Sequence, residues 1–149
     1  MKTKNDMSTR EIILDIPSEF KHIYLLDLVL SYIAKEMGFD EETKEQVNLA
    51  VIEAGTNAIK HGNKSDPTKA VHFSFGLSDD VLKISIKDCG AGFKPDEIDD
   101  PLSPENFMKP CGRGIFLMKA LMDEVEFEIN GNCGTEVRMI KYRMSNKRN

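Results

Sequence analysis

The spacing of apolar positions changes several times along the chain, and each change marks an element. Residues 11–16 (EIILDI) are apolar and β-branched, a strand pattern, and Pro17 stops it by withdrawing a backbone donor. From 18 to 37 the apolar residues recur at helical spacing, with Ser18 placed to cap that helix and Gly38 to end it. This helix carries more apolar surface than one core needs. Leu26, Val29, Leu30, Ile33 and Met37 form one stripe; Phe20, Ile23, Tyr24 and Leu28 form a second beside it. Two accounts stand open, a helix sunk deep in one core or a helix packed on a sheet and on another subunit.

Asp40 is a good cap for a second helix over 41–61, whose first residues, Glu41 and Glu42, suit the positive end of its dipole. Val47, Ala50, Val51, Ala54 and Ala58 make its core stripe. The stretch 62–68 (GNKSDPT) is a turn. The period then drops to two. Val71, Phe73, Phe75 and Leu77 alternate with small or polar residues over 70–77. Leu82, Ile84 and Ile86 alternate with Lys83, Ser85 and Lys87 over 81–87, which predicts one buried and one wet face. Ser78-Asp79-Asp80 joins the two as an antiparallel hairpin. Residues 90–113 are rich in glycine and proline and have no period, a long loop of the functional kind. A short helix over 114–122 and a last hairpin follow, strands 124–129 and 134–142 around Asn130-Gly131-Asn132.

Strands and helices in this order do not alternate one for one. That predicts an α+β fold, a two-layer α/β sandwich with helices on one face of a mostly antiparallel mixed sheet, over a doubly wound parallel sheet. The expected organisation is a disordered leader over 1–10, one domain over 11–144 and a loose tail over 145–149.

Composition narrows the partners. The chain has 149 residues, 40% hydrophobic and 30% charged, the balance of an ordinary globular domain. A net charge of -5 with no long basic run argues against nucleic acid or an anionic membrane as direct partners. No apolar stretch approaches the roughly 18 residues of a membrane span, and the polar start lacks a signal-peptide core, so the expected location is the cytoplasm. Cys89, Cys111 and Cys133 are too widely spaced for a zinc pattern and odd in number, so they are read as unpaired thiols.

Three short motifs carry chemistry, and each has a plain structural alternative. Glu53 and Asn57 lie four apart on one face of the second helix, offset from its core stripe. A carboxylate accepts a proton from an attacking hydroxyl, and a carboxamide oxygen suits magnesium; the alternative is a solvated polar face. Asp88-Cys89-Gly90-Ala91-Gly92 follows the cleanest strand. A carboxylate there stands at a pocket edge beside accessible backbone; the alternative is a turn. Gly112-Arg113-Gly114 leads into the short helix, where exposed backbone N–H groups and the positive dipole end suit phosphate oxygens. No Gly-Lys-Ser/Thr follows it, and no strand immediately precedes it, so neither a P-loop nor a Rossmann turn is present.

Taken together, E-A-G-T-N-A-I-K-H-G, D-C-G-A-G, G-R-G-I-F-L-M and G-T-E-V resemble the N box, G1 box, G2 region and closing Gly-Thr of the GHKL (Bergerat-fold) ATPases. The resemblance spans about residues 11–142. Within that superfamily the compact size and the phrasing around the first and third motifs are similar to the anti-sigma-factor serine kinases. The resemblance implies ATP and magnesium as cofactors. It implies Glu53 as general base on a serine hydroxyl, Asn57 as magnesium ligand, and Asp88 with Thr135 at the adenine amino group. Gly90 and Gly92 then lie close under base and sugar, residues 93–111 form the ATP lid, and Gly112, Arg113 and Gly114 meet the phosphates mainly through backbone. His61 lines the pocket. The implied partners are an anti-anti-sigma factor carrying the substrate serine, a sigma factor and a second copy of the chain in a homodimer. A catalytically silent nucleotide-dependent binding module is the alternative. A sensor histidine kinase needs a helical hairpin bearing its phosphoacceptor, which one helix with His22 near its start does not make, and gyrase-like ATPases need a transducer domain.

Overall fold

A computed structural model of the chain describes residues 9–90, 110–129 and 134–143. The expected leader up to residue 8, residues 91–109 of the loop, the Asn130-Gly131-Asn132 turn and the tail lie outside these. Strand β1 (Arg10–Pro17) leads through a short 3-10 turn (Phe20–His22) into helix α1 (Tyr24–Met37). Helix α2 (Glu41–Asn57) runs on into a π turn (Ala58–Gly62). Strands β2 (Ala70–Leu77) and β3 (Val81–Lys87), helix α3 (Pro110–Leu121) and strands β4 (Glu124–Ile129) and β5 (Thr135–Tyr142) complete the order. The sheet runs β1-β2-β3-β5-β4, and every pairing described is antiparallel. The expected α+β sandwich is the observed one.

The alternation read along β2 and β3 sorts the sheet into two faces. Val71, Phe73, Phe75, Leu77, Leu82, Ile84 and Ile86 are buried under the helices, joined from β5 by Val137 and Met139. The other face carries Glu11, Ser74, Ser85, Glu136 and Arg138, tied to one another and to Glu126 and Glu128 by hydrogen bonds and ion pairs. Lys141 faces inward and is buried, and it is held there because its Nζ donates to the Leu121 carbonyl at 2.6 Å and to Gln46 Oε1 at 2.9 Å. It thereby ties the last turn of α3 to α2 and β5.

Helix α2 packs on the sheet, against Phe73 of β2. Its core stripe of Val47, Ala50, Val51, Ala54 and Ala58 is buried as expected, and its small residues let the backbone come close. At Gly55 a Cβ would meet the Phe73 ring at 3.1 Å. The Asp40 carboxylate accepts from the Thr43 backbone N–H at 2.7 Å, which confirms the cap. Gly38 ends α1 in the left-handed conformation, φ 67°, as expected.

Two local expectations change. Ser18 does not cap a helix: the 3-10 turn Phe20–His22 forms first, and the Ser18 hydroxyl donates to the Lys69 carbonyl at 2.6 Å instead. The helix predicted over 114–122 begins at Pro110, which is compatible with a first turn because a helix start does not use the missing donor. On α1, the first stripe is buried apart from the half-buried Val29, while of the second only Ile23 packs, in part, against the core. Tyr24 and Leu28 stay 64% and 63% exposed, with Phe20 and Tyr32 above one half, so the core takes one stripe and leaves most of the other uncovered. No helix among the described residues is long and apolar enough to cross a membrane.

Candidate active site

The polar end of α2 and the open end of β3 meet around Asp88. This aspartate is buried at the end of the sheet. Its Oδ1 accepts the backbone N–H groups of Gly90 at 3.0 Å and Thr135 at 3.2 Å. Burial pushes the carboxyl above its ordinary value, while those two N–H groups and the charge of Lys69 pull the other way. Backbone packs against it from three sides. A Cβ on Gly62 would overlap the Asp88 carboxylate, one on Gly90 would overlap the Gly62 carbonyl, and one on Gly134 would overlap the Asp88 carbonyl. Gly134 also has φ +85°, a conformation that suits glycine. Thr135 Oγ1 is buried beside this cluster and has no hydrogen-bond partner among the described residues.

Asn63, unnoticed in the sequence, holds the cluster together. It is 1% exposed and satisfies three segments at once. Its Nδ2 donates to Ser18 Oγ at 2.8 Å and to the Ala70 carbonyl at 3.0 Å, and its Oδ1 accepts the Cys89 N–H at 2.7 Å. The π turn before it carries Gly62 against Asp88. A π turn inside a helix is uncommon and often marks a functional site. A single polar residue within GNKSDPT looks like any loop residue, so no signal in one sequence distinguishes it.

A second cluster lies one turn earlier on α2. Glu53 and Asn57 are half-buried on the same helix face, and α3 presents Gly114 to them. A Cβ on Gly114 would come 2.5 Å from Glu53 Oε1 and 2.9 Å from Asn57 Nδ2. The first and third motifs are therefore brought into contact. The two glycines flanking Arg113 stand inside α3 rather than ahead of it. Residues 112 and 113 still fall among the first four positions, whose backbone N–H groups lack helical acceptors. Arg113 is exposed, and His61 is half-buried on the π turn; neither side chain makes a hydrogen bond or ion pair among the described residues. Gly92 and residues 93–109 of the expected lid lie outside the described residues.

These residues suit a nucleotide. Asp88 Oδ2 and Thr135 Oγ1 are acceptor and hydroxyl groups left over beside a glycine-lined wall, and the Glu53–Asn57–Gly114 cluster offers oxygen donors next to a helix start. Residues 16–141 match the family described as histidine kinase-like ATPase domain, and the chain belongs to that family. It is similar along most of its length to proteins named serine-protein kinase RsbW. It is 33% identical over 133 residues to the one from Oceanobacillus iheyensis, covering 85% of this chain and 83% of that one. It is 36% identical over 135 residues to one from Bacillus licheniformis, covering 85% and 81%, and 32% identical over 133 residues to that of Bacillus subtilis, covering 85% and 82%. Among solved structures, the RsbU and RsbW domains of Rv1364c from Mycobacterium tuberculosis align with TM-score 0.65 at 18% identity, over 89% of this chain and 32% of that one. The mycobacterial sensor histidine kinase MprB aligns with TM-score 0.54 at 15% identity. These two likenesses concern the fold alone.

Proposed function

We propose that the chain is a protein serine kinase that binds ATP with magnesium and phosphorylates a serine on an anti-anti-sigma factor, sequestering a sigma factor when that antagonist is phosphorylated. The observation that carries the catalytic part is the close approach of Gly114 to both Glu53 and Asn57, on the helix whose continuation packs Gly62 against the buried Asp88. Bound ATP supplies the phosphoryl group. Asp88 accepts a hydrogen bond from the adenine amino group, helped by the unpartnered hydroxyl of Thr135. Gly90 and Gly92 give base and sugar close backbone, with His61 at the pocket wall. Asn57 is the protein ligand of magnesium through its amide oxygen. Backbone N–H groups at Gly112 and Arg113, in the first turn of α3, receive phosphate oxygens, and Gly114 gives them close backbone. Glu53 takes the proton of the serine hydroxyl. The remaining catalysis is positioning and charge stabilisation, as in phosphoryl transfer generally.

Partner switching follows from charge. A phosphoserine adds about two negative charges at neutral pH, enough to disfavour a close interface. The uncovered stripe of Phe20, Tyr24 and Leu28, continued by Tyr32, supports a homodimer built on the first helix. The free thiol of Cys89 fits a reducing compartment and supports a cytoplasmic location.

The test is titration calorimetry of ATP and GTP with and without magnesium, followed by phosphate transfer to a serine-bearing antagonist. Magnesium-dependent binding that excludes GTP is expected, and Asn57→Ala should abolish the magnesium dependence. Equal binding of GTP overturns the role of Asp88. Binding without transfer puts a catalytically silent module ahead of the kinase.

A further inference from the structure

On the open face of the sheet, away from the helices, Asp15, His72 and Cys89 stand in hydrogen-bond sequence. Asp15 on β1 and His72 on β2 are register partners, and their side chains meet at 2.8 Å, Oδ1 to Nδ1. The other ring nitrogen, Nε2, lies 3.6 Å from Cys89 Sγ, just beyond the end of β3. Cys89 is a free, exposed thiol. We propose that these residues form an activated-thiol site, in which Cys89 is the nucleophile, His72 its base and Asp15 the group that orients the base, and that the site takes small disulfides by exchange.

The chemistry follows from the donor inventory. An ionised carboxylate only accepts, so Asp15 holds the proton of neutral His72 on Nδ1 and turns the lone pair of Nε2 toward the thiol. His72 takes the Cys89 proton, and Asp15 stabilises the imidazolium that results. The thiolate attacks one sulfur of a small disulfide: the Cys89 sulfur–sulfur bond forms, the reagent's own bond breaks, and the leaving thiolate collects the proton from His72. Protein thiol plus disulfide gives mixed disulfide plus free thiol, and no further oxidant enters.

The surroundings place the thiol rather than leaving it loose. Its backbone N–H is fixed to buried Asn63 at 2.7 Å. The Ala70 carbonyl, 3.6 Å from Sγ, is the competing acceptor for the thiol proton. The row continues across the sheet: His72 pairs in register with Lys87, and Lys87 with Glu136, whose side chains lie 3.8 Å apart. The charged groups along the thiol's row are thus Asp15, His72, Lys87 and Glu136. The side chains of His72 and Asp15 are 44% and 52% exposed, so a dissolved reagent reaches them. Asp88, the preceding residue, is packed against Gly62 and Gly134 and bonded to Gly90 and Thr135, none of which enters this row, so the site does not depend on the nucleotide reading.

The test treats the folded full-length chain with the neutral disulfide dithiodiethanol between about pH 5 and 9, and measures adduct at each cysteine by peptide mass spectrometry. Near neutral pH, Cys89 should react about tenfold faster in the folded chain than in the same chain unfolded in urea. His72→Gln should abolish that advantage and leave a pH profile like that of the unfolded chain. Asp15→Asn should lower the advantage several-fold, and it carries the test if the His72 variant does not fold. A folded rate no greater than the unfolded one overturns the proposal. So does an advantage that survives both substitutions, or one that Lys87→Gln alone removes, since that would be plain electrostatics without a base.

Discussion

Asp88 joins two conflicting demands in one residue: burial and an accepting carboxylate. Burial holds its carboxyl above the ordinary 3.8. Between that value and the raised one the folded chain binds more protons than the unfolded chain, so Asp88 lowers stability as pH rises through the window. Asp88→Asn keeps an oxygen for the Gly90 and Thr135 N–H groups and removes the buried charge. The melting temperature of this variant relative to the parent should therefore rise as pH climbs above the ordinary carboxyl value of 3.8, while ATP binding weakens at least about tenfold through loss of a charged acceptor. A relative melting temperature that falls over this range would contradict the burial argument. At Glu53 the expectation separates binding from chemistry. Glu53→Gln should bind ATP normally and transfer phosphate at least about 100-fold more slowly, the scale of a lost general base. Transfer at the parent rate removes Glu53 from that role. Both residues were legible in the sequence because their motifs are local. Asn63 was not, because its importance lies in joining residues 18, 70 and 89, which only the fold brings together.

At the scale of elements, that asparagine is a clamp between the link after β1, the turn that ends α2, the start of β2 and the residues just after β3. Asn63→Ala leaves the Cys89 N–H without its partner and opens the Ser18 and Ala70 contacts. The expected cost is about 1–3 kcal/mol in urea unfolding, with nucleotide binding weakened at the same time because Asp88 shares the clamped segment. An unchanged midpoint would mean that water replaces the amide freely. Strand and helix order was legible throughout, since a period of two against one near four is set by backbone geometry. Boundaries were less so. The π turn at Ala58–Gly62 is hidden inside a continuous helical pattern, and α3 starts at Pro110 because proline and glycine, read as loop formers, are tolerated in a first turn.

For the whole molecule, the uncovered stripe on α1 sets the expectation. Leu28→Glu together with Tyr24→Glu should turn a dimer into a monomer in sedimentation velocity, with little change in the melting temperature extrapolated to low protein concentration, because both side chains are already exposed in the single chain. If the parent chain itself sediments as a monomer at micromolar concentration, that face serves a different partner. Alternation along β2 and β3, the caps at Asp40 and Gly38 and the order of three motifs were determined by the sequence alone, since each depends on residues within a few positions of one another. The tertiary structure decided which of the two stripes on α1 is buried. It also decided that Gly114 closes on Glu53 and Asn57, that Lys141 turns inward, and that Asp15 and His72 meet beside Cys89. These contacts join positions far apart in the chain, and their energies exist only once the sheet has paired and the helices have packed on one of its faces.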